Sequence, residues 1–552
     1  MNLIHMRRNR TLSKEGGNYM QLRRILSMFL AGVLVLGLVA CGNGNTNGTE
    51  NSQSTENKGS TEQSESTQSS QNTQSGGNNE GVDGTESTED ADATYVFSDE
   101  VWAFLSNADV KFVRQDENYV KVYDKKDLAD GGTVIEIDPA KTYQSVEGFG
   151  ASLTDSSAYV LSEMPEELID EVMVNLFDKE KGIGLSTIRI PIGGCDFGFY
   201  NYTYDDMPKG EEDFELEHFD ASEAEDQIAL VKKAMAVNSD IKIFLSPWTA
   251  PTWMKTKGEF TSKDGGTLRR DCYNVYADYL VKSVQIYENE NIPVYALSPQ
   301  NEMFIIADWA GMYWDWEPMS AFVNDRLRPA LEDAGLTTKI LNMDHNWIYA
   351  DKANQIMGAT YNAADGVAYH WYNGTPEQML TTKESFPDKE IWVTEATNVK
   401  PVGMSAFLKV SSMITRSLRS GANGYMLWNY ALKHTGGPTV YENTGADSNA
   451  PILSCNLEKD EITYESDFYI LAHFSKYIHE DAVVVDSTDT GAENDYKLVN
   501  VVTLNPNGTM TAVIVNSNKE AQTCKLVMGE QVMEVTVGAK STVTLTWDAN
   551  NY

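Results

Sequence analysis

Past residue 140 the chain repeats one phrase: a short apolar run ending on polar residues, then a longer helical stretch. The runs are VEGFGAS (146–152), GLSTIRIPI (184–192), IKIFLSPW (241–248), VYALSPQNE (294–302), KILNMDHN (339–346), GVAYHWY (366–372), EIWVTEA (390–396) and GYMLWNYA (424–431). Stretches with helical spacing separate most of them, such as 222–237, 272–287 and 404–420. Strand-like runs joined through helices pair in parallel, because the crossover returns the chain to the same end of the sheet. Eight such units in roughly 300 residues predict a (β/α)8 barrel over 146–448. The competing arrangement, an open doubly wound sheet, ordinarily carries a three-glycine phosphate turn after an early strand. GFGASLTD lacks the third glycine at that spacing.

Beyond the barrel the texture changes. YILAHFSKYI (469–478) has the spacing of one amphipathic helix. The β-rich runs AVVVDS, LVNVVTLN, MTAVIVNS, CKLVM, VMEVTV and STVTLTW follow, with turn signals such as NPNG between several. They predict an antiparallel β-sandwich over 449–552. VKFVRQ and TVIEIDP, within 95–145, are expected to add strands to it from the other side of the barrel.

Upstream, composition decides. Arg23 and Arg24 precede an apolar run from Ile25 to Ala40. That run is shorter than the roughly 20 residues a spanning helix needs, and it is placed as a secretory core segment is. It ends LVAC, which resembles a bacterial lipoprotein signal over 1–41 with Cys41 as the lipidated residue. Residues 1–19 are unlike the start of such a signal, so Met1 and Met20 both stand as possible starts. Residues 42–94 are Ser, Thr, Asn, Gln, Gly and Glu with almost no apolar side chain. Such a segment cannot bury enough surface to offset its chain entropy, and a flexible stalk is expected. The folded part is then expected at the extracellular face of a bacterial membrane, touching it only through the lipid on Cys41.

Lys and Arg number 43 against 81 Asp and Glu, a net charge of −38, which repels phosphate backbones and argues against nucleic acid as a partner. Cys195, Cys272, Cys455 and Cys524 show no paired spacing, and the seven His include no HxxxH pattern. Neither a disulfide framework, a metal site nor a cofactor is expected.

The polar residues of the eight runs collect at one end. Arg189, Trp248, Asn301, Glu302, Asp344, His345, His370, Tyr372, Glu395, Trp428 and Asn429 all lie at or near C-terminal strand ends. One such residue is ordinarily a satisfied core group; eleven on six or seven strands form a rim, and in a barrel that rim carries the active site. Two of them are glutamates, Glu302 on the fourth run and Glu395 on the seventh. Glycoside hydrolysis needs such a pair: one carboxyl protonates the leaving oxygen, and the other attacks the anomeric carbon or activates water. Negative charges a few ångströms apart raise one another's proton affinity and so divide the roles. Arg189 and Tyr372 are rim donors that would favour the ionised form at Glu395, leaving Glu302 as acid/base with Asn301 beside it for a sugar hydroxyl. Trp248, Trp253, Trp371, Tyr372 and Trp428 add aromatic faces of the kind that pack on a pyranose.

These residues resemble glycoside hydrolase family 30, a family of retaining β-glycosidases, over about residues 100–548. VEGFGASLTDSSA, IRIPIGGCDFGFYNYTYDD, SPWTAPTWMKT, AYHWY and WNYALKHTGGP carry the resemblance. It implies that Glu302 is the general acid/base and Glu395 the nucleophile of a double displacement. It further implies that Asp196, Trp248, Asn301 and Trp428 hold the glucosyl ring, and that Arg189, His370 and Tyr372 orient the nucleophile. No metal is implied, and the sandwich is built from both chain ends. Met303 follows the Asn-Glu pair where many members carry Pro, so NEMFIIADWAGMYWD is expected to shape a different acceptor side. The implied activity is cleavage of a β-glucosidic bond in a carbohydrate or glycolipid, of the glucosylceramidase or β-glucosidase type. Endo-β-1,6-glucanase, then β-xylosidase or fucosidase, are the alternatives. A sugar-binding lipoprotein of a transport system would share the lipid signal and linker, but it needs no carboxylate pair and shows two similar lobes.

Overall fold

The computed structural model describes residues 95–549, apart from 99, 401, 441–448 and 493. Cys41, the lipid signal and the expected stalk lie outside the described residues. Among the described residues no helix is long and apolar enough to cross a membrane.

Eight parallel strands close into a barrel: β1 (Gly148–Ser152), β2 (Thr187–Ile192), β3 (Lys242–Pro247), β4 (Val294–Leu297), β5 (Lys339–Asn346), β6 (Gly366–His370), β7 (Glu390–Glu395) and β8 (Gly424–Leu427). Closure depends on missing side chains. A Cβ at Gly150 would lie 1.9 Å from the Thr187 carbonyl oxygen, so only glycine lets β1 approach β2. A Cβ at Gly424 would lie 2.2 Å from the Trp392 ring, so the glycine of β8 makes room for the indole of β7. Trp392, Phe244, Ala296, Leu341, Ala368 and Met426 fill the barrel interior as one apolar layer. Removing the Trp392 or Phe244 ring would cost about 3–5 kcal/mol on the usual scale for buried aromatics. Helices such as Glu225–Val237, Tyr273–Glu288 and Met404–Arg419 form the outer ring and bury apolar faces on it.

The second domain is a sandwich whose two sheets share one long strand, Thr133–Val146. Its later residues pair antiparallel with Ala482–Ser487, within a sheet that continues through Leu498–Leu504, Thr509–Asn516, Ser541–Asp548 and Val101–Ser106. Its first residues pair in parallel with Gln522–Met528, followed by Gln531–Val537 and Val120–Asp124. The expected antiparallel sandwich carries one parallel ladder, where a strand entering from before the barrel meets one from after it running the same way. VKFVRQ supplies only Val113–Arg114. The N-terminal strands Val101–Ser106 and Val120–Asp124 were not expected from pattern.

The helix Ser466–Ser475 joins the two domains. Ile470, Leu471 and Phe474 pack into the barrel's apolar cluster. His473 turns the other way, its ring bonded to Ser106 Oγ at 2.7 Å and Thr544 Oγ1 at 2.8 Å on two sandwich strands. Burial pushes this imidazole down to about 3, so it holds the junction in its neutral form.

Candidate active site

Two neighbouring β-bulges aim the site. Along β5 and β6, Ala368 pairs with Met343 but Tyr369 pairs with His345, so Asp344 is skipped. Along β6 and β7, Tyr369 pairs with Val393 and His370 with Glu395, so Thr394 is skipped. Met343 and Asp344 sit at φ of 76° and 47°, in the left-handed region that bulky residues rarely occupy. Such bulges turn side chains that a regular pleat would point elsewhere. The two skipped residues meet, Thr394 Oγ1 donating to Asp344 Oδ1 at 2.7 Å.

Asp344, fully buried, accepts three further bonds. Ser246 Oγ donates to Oδ2 at 2.7 Å, Arg189 Nη2 to Oδ2 at 3.0 Å, and His370 Nε2 reaches Oδ1 at 3.0 Å. Burial alone would raise its proton affinity. The Arg189 charge and these donors outweigh burial and hold the carboxyl well below the usual range. Arg189, 1% exposed, is the centre of the rim. Its Nη1 donates to Glu395 Oε2 at 2.8 Å, its Nη2 to Asn301 Oδ1 at 2.7 Å, and its guanidinium lies 4.9 Å from the centre of the Trp248 ring. The Tyr372 hydroxyl donates to Glu395 Oε1 at 2.7 Å. Each Glu395 oxygen thus has its own donor, which fixes the direction of the carboxylate. The bond from Arg189 also settles Asn301, since its oxygen faces the guanidinium and its Nδ2 is left for a hydroxyl.

Glu302 stands on the loop beyond β4, whose ladder ends at Leu297. Its φ of 47° is held by its own N–H, which donates to the Asp344 carbonyl at 2.8 Å. His370 Nδ1 lies 3.1 Å from Glu302 Oε1, and His345 Nδ1 lies 3.5 Å from it. The other His370 nitrogen lies 3.9 Å from Glu395 Oε2. The two glutamates therefore flank one imidazole. Burial would lower His370, but the charges of Glu395, Asp344 and Glu302 dominate and raise it to about 10. The same pairing acts on Glu302: burial raises it, and the bonds from His345 and His370 outweigh burial and lower it. The two shifts describe one proton, resting on the imidazole and hydrogen-bonded to Glu302.

Trp248 and Trp428 stack at 5.3 Å and 24°, with Phe197 edge-on to Trp428 at 6.0 Å. Asp196 lies beside Phe197 on the loop after β2. Burial, then the charge of Glu395, pushes it up to about 8.

Residues 146–478 match the Glycosyl hydrolase family 30 TIM-barrel domain, and residues 481–545 match the Glycosyl hydrolase family 30 beta sandwich domain. The chain belongs to glycosyl hydrolase family 30. It is 28% identical over 421 residues to the lysosomal acid glucosylceramidase of Mus musculus, covering 70% of this chain and 78% of that one. It is also 28% identical over 393 residues to the endo-1,6-beta-D-glucanase BGN16.3 of Trichoderma harzianum, covering 68% and 78%. Among solved structures, the endo-beta1,6-glucanase BT3312 superposes with a TM-score of 0.71 at 28% identity, covering 81% of this chain and 99% of that one.

Within this family 30 glycosidase, Glu302, Glu395, Asn301, Arg189, His370 and Tyr372 form one bonded cluster, with Trp248 stacked on its arginine. His370, expected to orient Glu395, reaches Glu395 Oε2 at 3.9 Å through Nε2, and its hydrogen bonds go to Glu302 and Asp344. The aromatic set is corrected. Trp253 donates to Asp205 Oδ2 at 2.9 Å, and Trp371 lies under the Lys409 ammonium at 4.6 Å, so neither joins the Trp248–Trp428 stack. Asn429 is structural too, accepting from Thr154 Oγ1 at 2.8 Å. The hub itself had no assigned role. Asp344 stood among the rim residues, but Ser246 and Thr394 gave no signal, because a bulge decides that they reach it. The one available hint was the polar sequence NMDHN closing an apolar strand.

Proposed function

We propose that this family 30 enzyme hydrolyses β-glucosidic bonds with retention, Glu395 acting as nucleophile and Glu302 as acid/base. The observation that carries it is the asymmetry of the pair: both Glu395 oxygens are clamped by Arg189 and Tyr372, while Glu302 Oε1 lies 3.1 Å from His370 Nδ1. In the first step a Glu395 oxygen attacks the anomeric carbon, the bond to the leaving oxygen breaks, and that oxygen takes its proton from Glu302. The imidazolium of His370 stands ready to supply that proton across its hydrogen bond. In the second step Glu302 removes a proton from water, the water oxygen bonds to the anomeric carbon, and Glu395 leaves as carboxylate. Asp196, Asn301, Trp248 and Trp428 hold the glucosyl ring. Proton NMR of the first-formed sugar tests this: β-glucose is expected first, and an initial α-glucose signal would exclude two displacements.

The substrate follows from the relatives. A glucosylceramidase-type β-glucoside is the first reading. An endo-acting β-1,6-glucanase is the second, favoured by the likeness to BT3312 along 99% of that chain. Release of glucose from glucosylceramide against fragmentation of a β-1,6-glucan, measured with residues 95–552, separates them. The location is proposed as the outer face of a bacterial membrane, with Cys41 lipidated. Mass spectrometry of the N-terminal peptide from the membrane fraction tests it, and an unmodified Cys41 in a soluble protein would reject it.

A further inference from the structure

A second imidazole beside Glu302 takes no part in the steps above. His345 is 2% exposed and follows Asp344 on β5. Successive residues of a regular strand point to opposite faces. The bulge at Asp344 breaks that alternation and brings both neighbours to one cluster. Asp344 Oδ1 lies 3.0 Å from His370 Nε2, His370 Nδ1 lies 3.1 Å from Glu302 Oε1, and His345 Nδ1 lies 3.5 Å from that same oxygen. Among the described residues His345 Nε2 has no hydrogen-bond partner.

Packing, rather than hydrogen bonding, sets the plane of this ring. Tyr349, on the turn after β5, lies 4.7 Å from it at 35°, and Phe304 lies 6.0 Å from it at 36°. The Phe304 and Tyr349 rings meet each other at 5.3 Å, which closes a three-ring cluster. Phe304 stands two residues beyond Glu302, so the loop that carries the carboxyl also supplies one of the rings that aim His345 at it. A carboxylate only accepts, so the facing Nδ1 carries the ring hydrogen. Both imidazoles meet Glu302 at Oε1, and Oε2 is the oxygen left for the leaving group. Contacts of this kind are often long in an empty site and tighten once substrate is bound.

We propose that His345 is a second positioning residue for Glu302: together with His370 it fixes Oε1 and so turns Oε2 toward the leaving oxygen. The inference rests on the acid/base reading of Glu302 above. His345 acts through Glu302 alone. Its N–H, aimed at Oε1, also favours the ionised carboxyl and so limits the proton affinity of Glu302. Other groups bear on that affinity. Asp344 and Glu395 stand beside the His370 ring, Asp196 and the Tyr372 phenol feel the charge of Glu302, and Arg189 is bonded to Asn301 and Glu395. On the far side of His345 stands the Tyr349 phenol.

Three substitutions divide the parts of the ring. His345→Phe keeps an aromatic ring in the stack and removes both nitrogens. The amide of His345→Asn reaches the place of Nδ1, and that of His345→Gln the place of Nε2. His345→Phe is expected to lose about tenfold in kcat/KM on an alkyl β-glucoside and about twofold on an activated aryl β-glucoside, which needs little protonation. The basic limb of its kcat/KM profile should move to higher pH by about half a pH unit, because Glu302 holds a proton more tightly without the donor. His345→Gln should follow His345→Phe, and His345→Asn should restore both readings to near wild type. The contrast between Asn and Gln carries the same reading where the Phe ring does not fit. Equal losses on both substrates with an unmoved basic limb, or a His345→Asn enzyme as impaired as His345→Gln, would overturn the assignment. A wild type inert toward both glucosides would overturn the hydrolase reading instead.

Discussion

Strand β7 begins and ends on a glutamate, and the two ends of the barrel treat these residues in opposite ways. Glu390 opens the strand at the closed end. Its oxygens accept from the Tyr295 hydroxyl at 2.9 and 3.0 Å and from Trp392 Nε1 at 2.8 Å, and it pairs with Lys339, which also donates to Tyr295 at 2.8 Å. Nearby, Lys242 pairs with Glu147 and Glu480. Three acids there share two lysines, and the apolar layer around Trp392 lies above them in the barrel. Glu395 ends the same strand at the open end. There, among the described residues, Asp344 and Glu395 pair with one permanent cation, Arg189, and Glu302 pairs with the His345 and His370 rings, with Asp196 nearby. The surplus negative charge is met by protons, held on His370 and on Asp196. Acids paired with lysine ammonium groups make a structural plug; acids that depend on an imidazole as well as on an arginine make a group that stores and releases protons.

The largest expected effect breaks the comparison most cleanly. Glu395→Gln should cut kcat by at least about 1,000-fold with little change in denaturation midpoint. Glu390→Gln should do the reverse, costing about 2 kcal/mol in chemical denaturation and leaving kcat nearly intact, because this pair is partly open to solvent. An inactive but stable Glu390→Gln enzyme would abolish the distinction.

Glu302, proposed as acid/base, is the next target. Glu302→Ala should lose about 100-fold more activity on an alkyl β-glucoside than on an activated aryl glucoside, since a good leaving group needs little protonation. Equal losses would remove Glu302 from that role. The hub sharpens the charge argument. Asp344 helps to raise His370, so Asp344→Asn lowers the proton affinity of the imidazole. The basic limb of the kcat/KM profile should move to lower pH, with about a 100-fold loss of kcat from misaligned Arg189 and His370.

The smallest effect lies away from both ends. His473 is about 3 when folded and near 6.5 when unfolded. Between those values only the unfolded chain takes the proton, so this contribution is whole above pH 6.5 and drains as pH falls. The stability advantage of the wild type over His473→Gln should therefore shrink by about 2 kcal/mol between pH 6.5 and 5. A constant difference across that range would show that His473 does not bridge the junction in its neutral form.

The barrel was legible because its strands are apolar runs with fixed polar ends, and helix boundaries such as Met404–Arg419 fall within a residue of the pattern. Glu302 and Glu395 were legible because a carboxylate after a buried run has no cheap structural use. The work of Asp344, Ser246 and Thr394 was not legible, because register slips on β5 and β7 bring them together, and a slip leaves no mark in alternation. The bonds of His370 to Glu302 and Asp344 were not legible for a related reason: its residue type suited any of these carboxylates, and the bulged register decides which its ring nitrogens reach. Val101–Ser106 was overlooked because it is short and pairs with a strand at the far end of the chain.

That last pairing governs how the protein can be made. Val101 lies opposite Trp547, so a strand emerging early from the ribosome must wait for nearly the whole remaining chain before its partner exists. At ordinary elongation speeds the delay is roughly 20–90 s. Throughout it, the ladder edges of the shared strand Thr133–Val146 are open as well. Either the nascent segment is kept extended, by a chaperone or by export before folding, or it meets other chains first. Trimming the last few residues would then act less as a shortening than as the loss of the piece that closes the second domain.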